Sequence, residues 1–276
     1  LAMLGVTLGG LFILSALIGV ITSGVEGKVE ELRKGRSRVI ERDHTLILGW
    51  SPQVFTILSE LVVANESKKR ACVVVLAPVD KVEMEDAIRE RLPDLKSTVV
   101  VCRSGSPTDL ADLAMVSVNT SKSVIVLSPE GDDPDASVIK SILAITNGPN
   151  RRKEPYHIVA ELHDPRNLQA ARMVGKDEAE IVLVGDLISR ITVQTCRQSG
   201  LSVVHTELLD FGGDEIYFKE EPALVGKTFG EALHAYEDSS VIGLRRADGT
   251  VQLNTPMDSR IPSRSDSSRR SEIPSM

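Results

Sequence analysis

Cysteine, aromatic residues and surplus positive charge are all scarce in this 276-residue chain. The three cysteines, Cys72, Cys102 and Cys196, are odd in number and far apart, which excludes a disulfide framework and a CxxC zinc pair. Cys72 and Cys102 lie in apolar strand-like runs, so we expect them to be small buried hydrophobes in a reducing compartment. Aromatic residues make up only 3%, so the core must be aliphatic. The formal net charge of -7 argues against nucleic acid as a partner, because such binding needs a basic surface.

Charge is also missing from the start of the chain, where the first charged residue is Glu26. Residues 1–25 are long enough to cross roughly 30 Å of hydrocarbon as a helix, and their glycine, serine and alanine residues suit close helix packing. Residues 26–44 interleave basic and acidic side chains, which is typical of a solvated helical linker. The basic residues that follow the apolar run place the bulk of the chain on the cytoplasmic side. The sequence therefore predicts an integral membrane protein in contact with the lipid bilayer.

Apolar, strand-like runs alternate with helix-like stretches between residues 45 and 206. The predicted strands are 45–48, 71–76, 98–102, 123–127, 157–161 and 180–184. The predicted helices are 53–65, 81–91, 108–115, 135–146, 165–174 and 186–198. Near-continuous apolar strands separated by helices predict an α/β fold, a Rossmann-like doubly wound parallel sheet.

The remaining residues have a different pattern. Residues 207–256 predict a small α+β subdomain, with strands at 215–218, 241–244 and 250–253, a helix at 224–236, and a hairpin turn at Asp248-Gly249. Residues 257–276 are polar and low in complexity, which predicts a disordered tail.

The turn after the first strand is the first candidate for ligand binding, because ligands of such sheets bind at the carboxyl ends of the strands. Gly49, Trp50 and Ser51 occupy this turn. Only the first glycine of the GxGxxG dinucleotide fingerprint is present, since Ser51 and Val54 take the other two positions. The second strand ends in Ala77-Pro78 instead of an acid that could hold a ribose. An NAD-type nucleotide is therefore a weak expectation, and the alternative is that Gly49 only makes a tight turn.

Two polar loops are further candidates. After the third strand, Arg103, Gly105 and Ser106 lead into a helix start whose N–H groups could hold a phosphate, with a plain turn and N-cap as the equal alternative. After the fourth strand, Ser128 is a candidate ligand contact and four carboxylates could bind Ca²⁺, although an acidic solvated loop is the favoured interpretation. These carboxylates belong to Glu130, Asp132, Asp133 and Asp135.

Catalytic patterns are not evident. None of the three tyrosines, Tyr156, Tyr217 and Tyr236, has a lysine four residues later, and the five histidines show no HExxH spacing. The chain is therefore not predicted to be an enzyme.

Two stretches resemble the CASTOR/POLLUX ion channels: SGVEGKVEELRKGRSRVIERDHTLILGWS at 23–51 and CRSGSPTDLADL at 102–113. The resemblance implies a homotetrameric channel for permeant cations, whose cytosolic RCK-type domains (regulators of potassium conductance) form a gating ring. Residues 1–25 would then line the pore, the Rossmann-like domain would sense a ligand, and residues 207–256 would be the C-terminal RCK subdomain. In that family calcium is linked to gating and permeation.

The resemblance also places the other membrane helices, the pore helix and the selectivity filter upstream of Leu1. The chain is therefore expected to form only part of a pore. Two alternative functions stay open from the sequence: a membrane-anchored NAD(P)-dependent oxidoreductase, and a regulatory subunit of a potassium uptake system.

Overall fold

The computed structural model of the chain describes residues 14–15, 17–18, 35–213, 216–246 and 249–262. The chain divides into two compact units, Leu1–Asp214 and Glu215–Met276. The predicted membrane helix lies outside the described residues except for Leu14, Ser15, Leu17 and Ile18, which are helical. Across the described ranges, no helix combines the length and the apolar character needed to span a bilayer. The predicted tail is described only as far as residue 262.

The first unit is built on a six-stranded parallel sheet. Its strands are β1 (Thr45–Leu48), β2 (Ala71–Ala77), β3 (Thr98–Ser104), β4 (Ser123–Val126), β5 (Ile158–Leu162) and β6 (Ala179–Leu183). Their order is β3-β2-β1-β4-β5-β6, and every neighbouring pair is parallel. The order reverses between β1 and β4, so the crevice where such folds bind ligands lies at the carboxyl ends of these two strands. The predicted doubly wound sheet is confirmed.

Helices connect these strands. They are α1 (Gln53–Ala64), α2 (Lys81–Arg91), α3 (Leu110–Met115), α4 (Pro134–Thr146), α5 (Leu168–Gly175), α6 (Val184–Arg197) and α7 (Leu201–Leu209). Helix α3 begins later than predicted because the Asp109 side chain accepts hydrogen bonds from the amides of Ala111 and Asp112, which fixes the N-cap. Helix α7 was not predicted. Its apolar residues fall on several sides, so they show no clear helical stripe.

Aliphatic side chains fill both faces of the sheet. Leu46 and Leu48 pack on one face with residues such as Ile142 of α4, while Ile47 packs on the other with Leu58 of α1. This alternation follows from the two-residue period of a strand. Each fully buried side chain of this size stabilises the fold by roughly 1.5–3 kcal/mol.

The segment before β1 differs from the prediction. Residues 26–34 of the predicted helical linker lie outside the described residues, and residues 35–44, here called the linker segment, are not helical. Gly35 adopts a positive φ of 68°, which helical residues do not. Val39 is buried in the core of the first unit, and its amide donates to the carbonyl of Met115 at 2.8 Å. The linker segment is therefore an extended strap held against the domain.

The second unit contains a hairpin of β7 (Gly243–Arg245) and β8 (Val251–Leu253), which pair antiparallel. Gly249 lies in the connecting turn with a φ of 85°, consistent with the predicted hairpin. The predicted strand at 215–218 is wrong over residues 216–218, which form no strand.

The predicted helix at 224–236 is shorter than expected. It reduces to a 3-10 turn, Pro222–Leu224, and helix α8 (Phe229–Ala232). Gly226 has a φ of 82°, which interrupts the helical backbone. Thr228 then starts α8 afresh with a capping box, in which its side chain and that of Glu231 each accept from the other's amide.

Candidate functional site

A cavity of about 710 Å³ opens at the carboxyl ends of the central strands of the first unit. Its wall combines the turn after β1 with the loops after β2, β3 and β4 and with residues of α1, α2 and α4. Gly49, Trp50, Ser51 and Ser106 are the predicted ligand residues that line it, and Glu130 lines it from the acidic loop. This is the location that the strand order indicates for a ligand.

The turn after β1 requires a glycine. Gly49 has a φ of 107°, and a Cβ added there would lie 3.0 Å from the carbonyl oxygen of Leu127. The position of the third fingerprint glycine is occupied by Val54, which is fully buried between α1 and the sheet. The turn therefore keeps the first glycine of the fingerprint, while the helix packs on the sheet through the bulky Val54.

Ser51 is the most informative polar residue of the cavity. It is only 5% exposed, it lines the cavity, and its hydroxyl has no hydrogen-bond partner. Leaving a buried hydroxyl unpaired costs roughly 1–3 kcal/mol, which a ligand group that bonds to it would recover. Ser51 therefore points to a polar ligand atom in the cavity.

Aromatic and cationic side chains line another part of the cavity. The rings of Trp50 and Phe55 meet edge to face with their centroids 5.5 Å apart, and the Arg91 guanidinium lies 4.2 Å from the Phe55 centroid. Phe55 and Arg91 were not predicted as site residues, because they belong to helices α1 and α2 and do not follow strand ends. Ser137 and Ser141 of α4 were missed for the same reason, and serines on a mostly apolar helix are their only signal.

Arg103 does not take part in the predicted phosphate site. Its Nε donates to the carbonyl of Ser37 and its Nη1 to the carbonyl of Cys102, both at 2.7 Å. Burial lowers the pKa of Arg103, with the nearby Glu85 carboxylate acting in the opposite direction. The guanidinium therefore fastens the linker segment to β3 and is absent from the cavity wall.

Carboxylates surround the helix start where the phosphate was predicted. The Ser106 amide donates to Asp112 Oδ2 at 2.8 Å, and a Cβ on Gly105 would lie 2.7 Å from the Asp112 carboxylate. Asp109 accepts from the first amides of α3. These N–H groups already have carboxylate partners, which are the contacts of a turn and an N-cap, and the phosphate site stays a prediction.

The four carboxylates predicted to hold Ca²⁺ do not gather around a point. Asp133 caps α4 by accepting from the Ala136 amide at 3.2 Å, while Glu130 faces the cavity. Asp135 is buried and accepts at 2.9 Å from the amides of His163 and Asp164 and from Asn167 Nδ2. In the parts of the chain that the structure describes, no group of three or more His, Cys, Asp or Glu side chains is placed to hold a metal ion. The predicted cluster is therefore divided among separate structural contacts.

Ser128 lies beside the cavity without lining it. Its amide donates to Glu161 Oε2 at 3.1 Å, while its buried hydroxyl has no hydrogen-bond partner. The other carboxylate oxygen of Glu161, Oε1, lies 3.1 Å from His163 Nε2. The contact between Ser128 and Glu161 was not predicted, although Glu161 is a carboxylate within the otherwise apolar β5.

Comparisons with known proteins identify the family. Residues 185–267 match the family model described as Castor and Pollux, part of voltage-gated ion channel. The chain is 38% identical over 258 residues to the probable ion channel CASTOR of Oryza sativa subsp. japonica, across 92% of this chain and 29% of that relative. It is 37% identical over 265 residues to the ion channel CASTOR of Lotus japonicus, across 95% and 31%. The chain belongs to the CASTOR and POLLUX ion channel family.

This membership confirms the resemblance read from the sequence, and these relatives are named as channels, in agreement with the prediction of a non-enzyme. The chain spans less than a third of the length of these CASTOR relatives, 29% and 31%. Among solved structures, the human SLO3 gating ring superposes with a TM-score of 0.56 at 17% identity, over 80% of this chain and 42% of that one. That likeness shows a shared fold.

Proposed function

We propose that the first unit is the ligand-sensing domain of a cation-channel subunit and that it couples the cavity to a pore-lining helix ahead of the linker segment. The observation that carries this proposal is that β3 contacts the linker segment and leads directly into a loop that lines the cavity. Arg103 of β3 holds the carbonyl of Ser37 in the linker segment, and Ser106, three residues later, lines the cavity. A ligand that moves the loop after β3 would therefore act directly on the linker segment.

A second route through α3 supports the same coupling. The amide of Ser106 donates to Asp112 in α3, and the carbonyl of Met115 at the end of that helix accepts from the amide of Val39 in the linker segment. Further along, the amide of Asp43 donates to the carbonyl of Thr120 at 2.9 Å. The loop at the cavity, α3 and the linker segment are thus joined by hydrogen bonds, so displacement at one end strains the other.

Self-association is proposed for the apolar surface of α6 and α7. Neither helix has a buried residue within the first unit. Soluble monomers rarely expose large contiguous apolar patches, so this surface is suited to packing against another copy of the chain, as a homotetrameric gating ring requires. The exposed apolar residues are Leu187, Ile188, Val193, Val203, Val204, Leu208 and Leu209.

The proposal places the protein in a membrane, with the described units on the cytoplasmic side and cations as the permeant species. Its support is family membership together with the basic residues that precede the linker segment. Potassium as a permeant ion remains a proposal on the same basis.

A chimera tests the proposal. This chain replaces the matched segment of the Lotus japonicus channel CASTOR, and currents are recorded in planar bilayers. We expect the chimera to conduct, and Arg103→Ala to change its open probability because the linker segment is released. The matched control is Arg89→Ala on α2, where the exposed guanidinium pairs with the exposed Asp86. A silent chimera, or equal effects of the two substitutions, would reject the coupling role.

A further inference from the structure

The turn at the cavity offers few donors to a phosphate. In the ordinary dinucleotide site, a pyrophosphate rests on the free backbone N–H groups of the glycine turn and the helix start. Here the Gly49 amide donates to the carbonyl of Leu76 at 2.9 Å, and the Val54 amide donates to the carbonyl of Ser51 at 3.0 Å. Position 52 is a proline, which has no N–H. Half of the positions from 49 to 54 therefore have no N–H for a ligand.

The charge around the cavity disfavours a phosphate as well. Among the described residues that line it, Arg91 is the only lysine or arginine, and it already lies over the Phe55 ring. Glu130 adds a carboxylate to the lining. At the third-strand turn, Asp112 holds the Ser106 amide that would otherwise face a ligand. A pyrophosphate with two negative charges would meet one cation, Arg91, and the carboxylates of Glu130 and Asp112.

The rest of the lining suits a flat, neutral and hydrogen-bonding molecule. Trp50 supplies an aromatic surface, and Pro78, Pro107 and Pro129 supply rigid apolar walls. The unpaired Ser51 hydroxyl supplies a buried polar contact. The volume of about 710 Å³ falls within the range of small-molecule sites.

We propose that the cavity selects a phosphate-free nucleoside, with its heteroaromatic ring on Trp50 and a hydroxyl or ring nitrogen on Ser51. The proposal rests on the cavity being the ligand site of the proposed function. Glu130 accepts from sugar hydroxyls or an exocyclic amine, and the same carboxylate repels a phosphorylated analogue. The degenerate fingerprint is then a determinant of specificity, since Pro52 and the internally bonded amides of Gly49 and Val54 remove phosphate contacts while the crevice is kept.

Trp50 is the single tryptophan of the chain, so its fluorescence reports directly on the cavity. The purified full chain is titrated with adenosine, guanosine and uridine, and then with ADP and NAD⁺. We expect at least one nucleoside to change the Trp50 emission and to bind about tenfold or more tighter than ADP and NAD⁺, which corresponds to about 1.4 kcal/mol. Binding of ADP or NAD⁺ as tight as that of adenosine, or no binding of any nucleoside, would overturn the proposal.

Two substitutions identify the contacts. Ser51→Ala is expected to weaken nucleoside binding by about three- to tenfold. Ser59→Ala is the control and should leave nucleoside binding unchanged, because the Ser59 hydroxyl donates to the Thr56 carbonyl and does not line the cavity. Pro52→Ala restores an N–H at an exposed position with helical backbone angles. It is expected to reduce the difference in binding affinity between adenosine and ADP. An unchanged gap would contradict the donor argument. The bilayer currents of the chimera test the channel role separately, so a failure of nucleoside selection and a failure of the channel function give different results.

Discussion

Replacing Asp135 by alanine should destabilise the first unit strongly. The carboxylate is buried at 3% exposure and accepts three hydrogen bonds, from two backbone amides after β5 and from the Asn167 side chain. It thereby ties the start of α4 to the loop between β5 and α5. Hydrogen bonds to charged groups contribute roughly 1.5–3 kcal/mol each, but losses in one network are not additive. We expect Asp135→Ala to lower the free energy of unfolding by about 3–5 kcal/mol, since three donors are left unpaired.

The pH dependence of this contribution follows from the same contacts. Burial alone would raise the pKa of Asp135, but the hydrogen bonds from Asn167, His163 and Asp164 lower it below its usual value. A carboxyl group whose folded-state pKa is lowered contributes stability above its unfolded-state pKa of about 3.9 and loses it as the pH falls through the folded-state value. The difference in the free energy of unfolding between wild type and Asp135→Asn should therefore be largest at neutral pH and decrease below about pH 4.

Thermal unfolding followed by circular dichroism measures the effect. For a protein of this size, 1 kcal/mol shifts the midpoint by about 2–4 °C, so Asp135→Ala should lower it by about 6–20 °C. The matched control is Asp132→Asn, an exposed carboxylate in the same loop, for which we expect less than about 0.5 kcal/mol. Equal losses for the two variants would refute the reasoning, because the loop charge and not the buried network would then be responsible.

Three further predictions concern other parts of the first unit. Gly49→Ala should destabilise it by about 1–3 kcal/mol in urea unfolding, since the φ of 107° is strained for alanine; a neutral result would show that the turn can relax. Arg103→Ala should raise amide hydrogen exchange in residues 36–44 without changing exchange in α1, and unchanged protection would refute its fastening role. Burial raises the pKa of Cys102 to about 12 and that of Cys72 to about 11, so at pH about 8 a thiol reagent should modify the exposed Cys196 first. Rapid reaction of all three would contradict the described burial.

The sheet was predictable because its information is local and redundant. Runs such as Val73 to Ala77 are apolar throughout and rich in valine, and a strand with both faces covered favours that composition. The predicted carboxyl ends of the strands then indicated where the crevice lies, because ligands of such sheets bind there. The second unit was predicted less well, since Gly226 interrupts a stretch whose apolar spacing otherwise favours a helix.

The side-chain contacts of the site depended on long-range neighbours that no local pattern encodes. Arg103 lies at the end of a strand and precedes a turn that contains Gly105, which suits a phosphate ligand, yet its partner is a carbonyl 66 residues earlier in the chain. Asp135 sits among other carboxylates, which suggests a cation site, yet its donors come from a loop after β5. A charged residue on a loop fits many partners, and only the tertiary arrangement selects one.

The Arg103 contact has an energy in the range that the proposed gating signal needs. A ligand can shift a conformational equilibrium only by the difference in its affinity for the two states. Coupling free energies between sites are typically about 1–3 kcal/mol, or roughly a 5- to 150-fold change in an equilibrium constant. One hydrogen bond from a charged group contributes about 1.5–3 kcal/mol, so the bond from Arg103 to the Ser37 carbonyl falls in the same range. In the proposed channel, a nucleoside that makes or breaks this single bond by displacing the loop at Ser106 would therefore suffice to change the pull on the proposed pore helix, without rearranging the aliphatic core of the sheet.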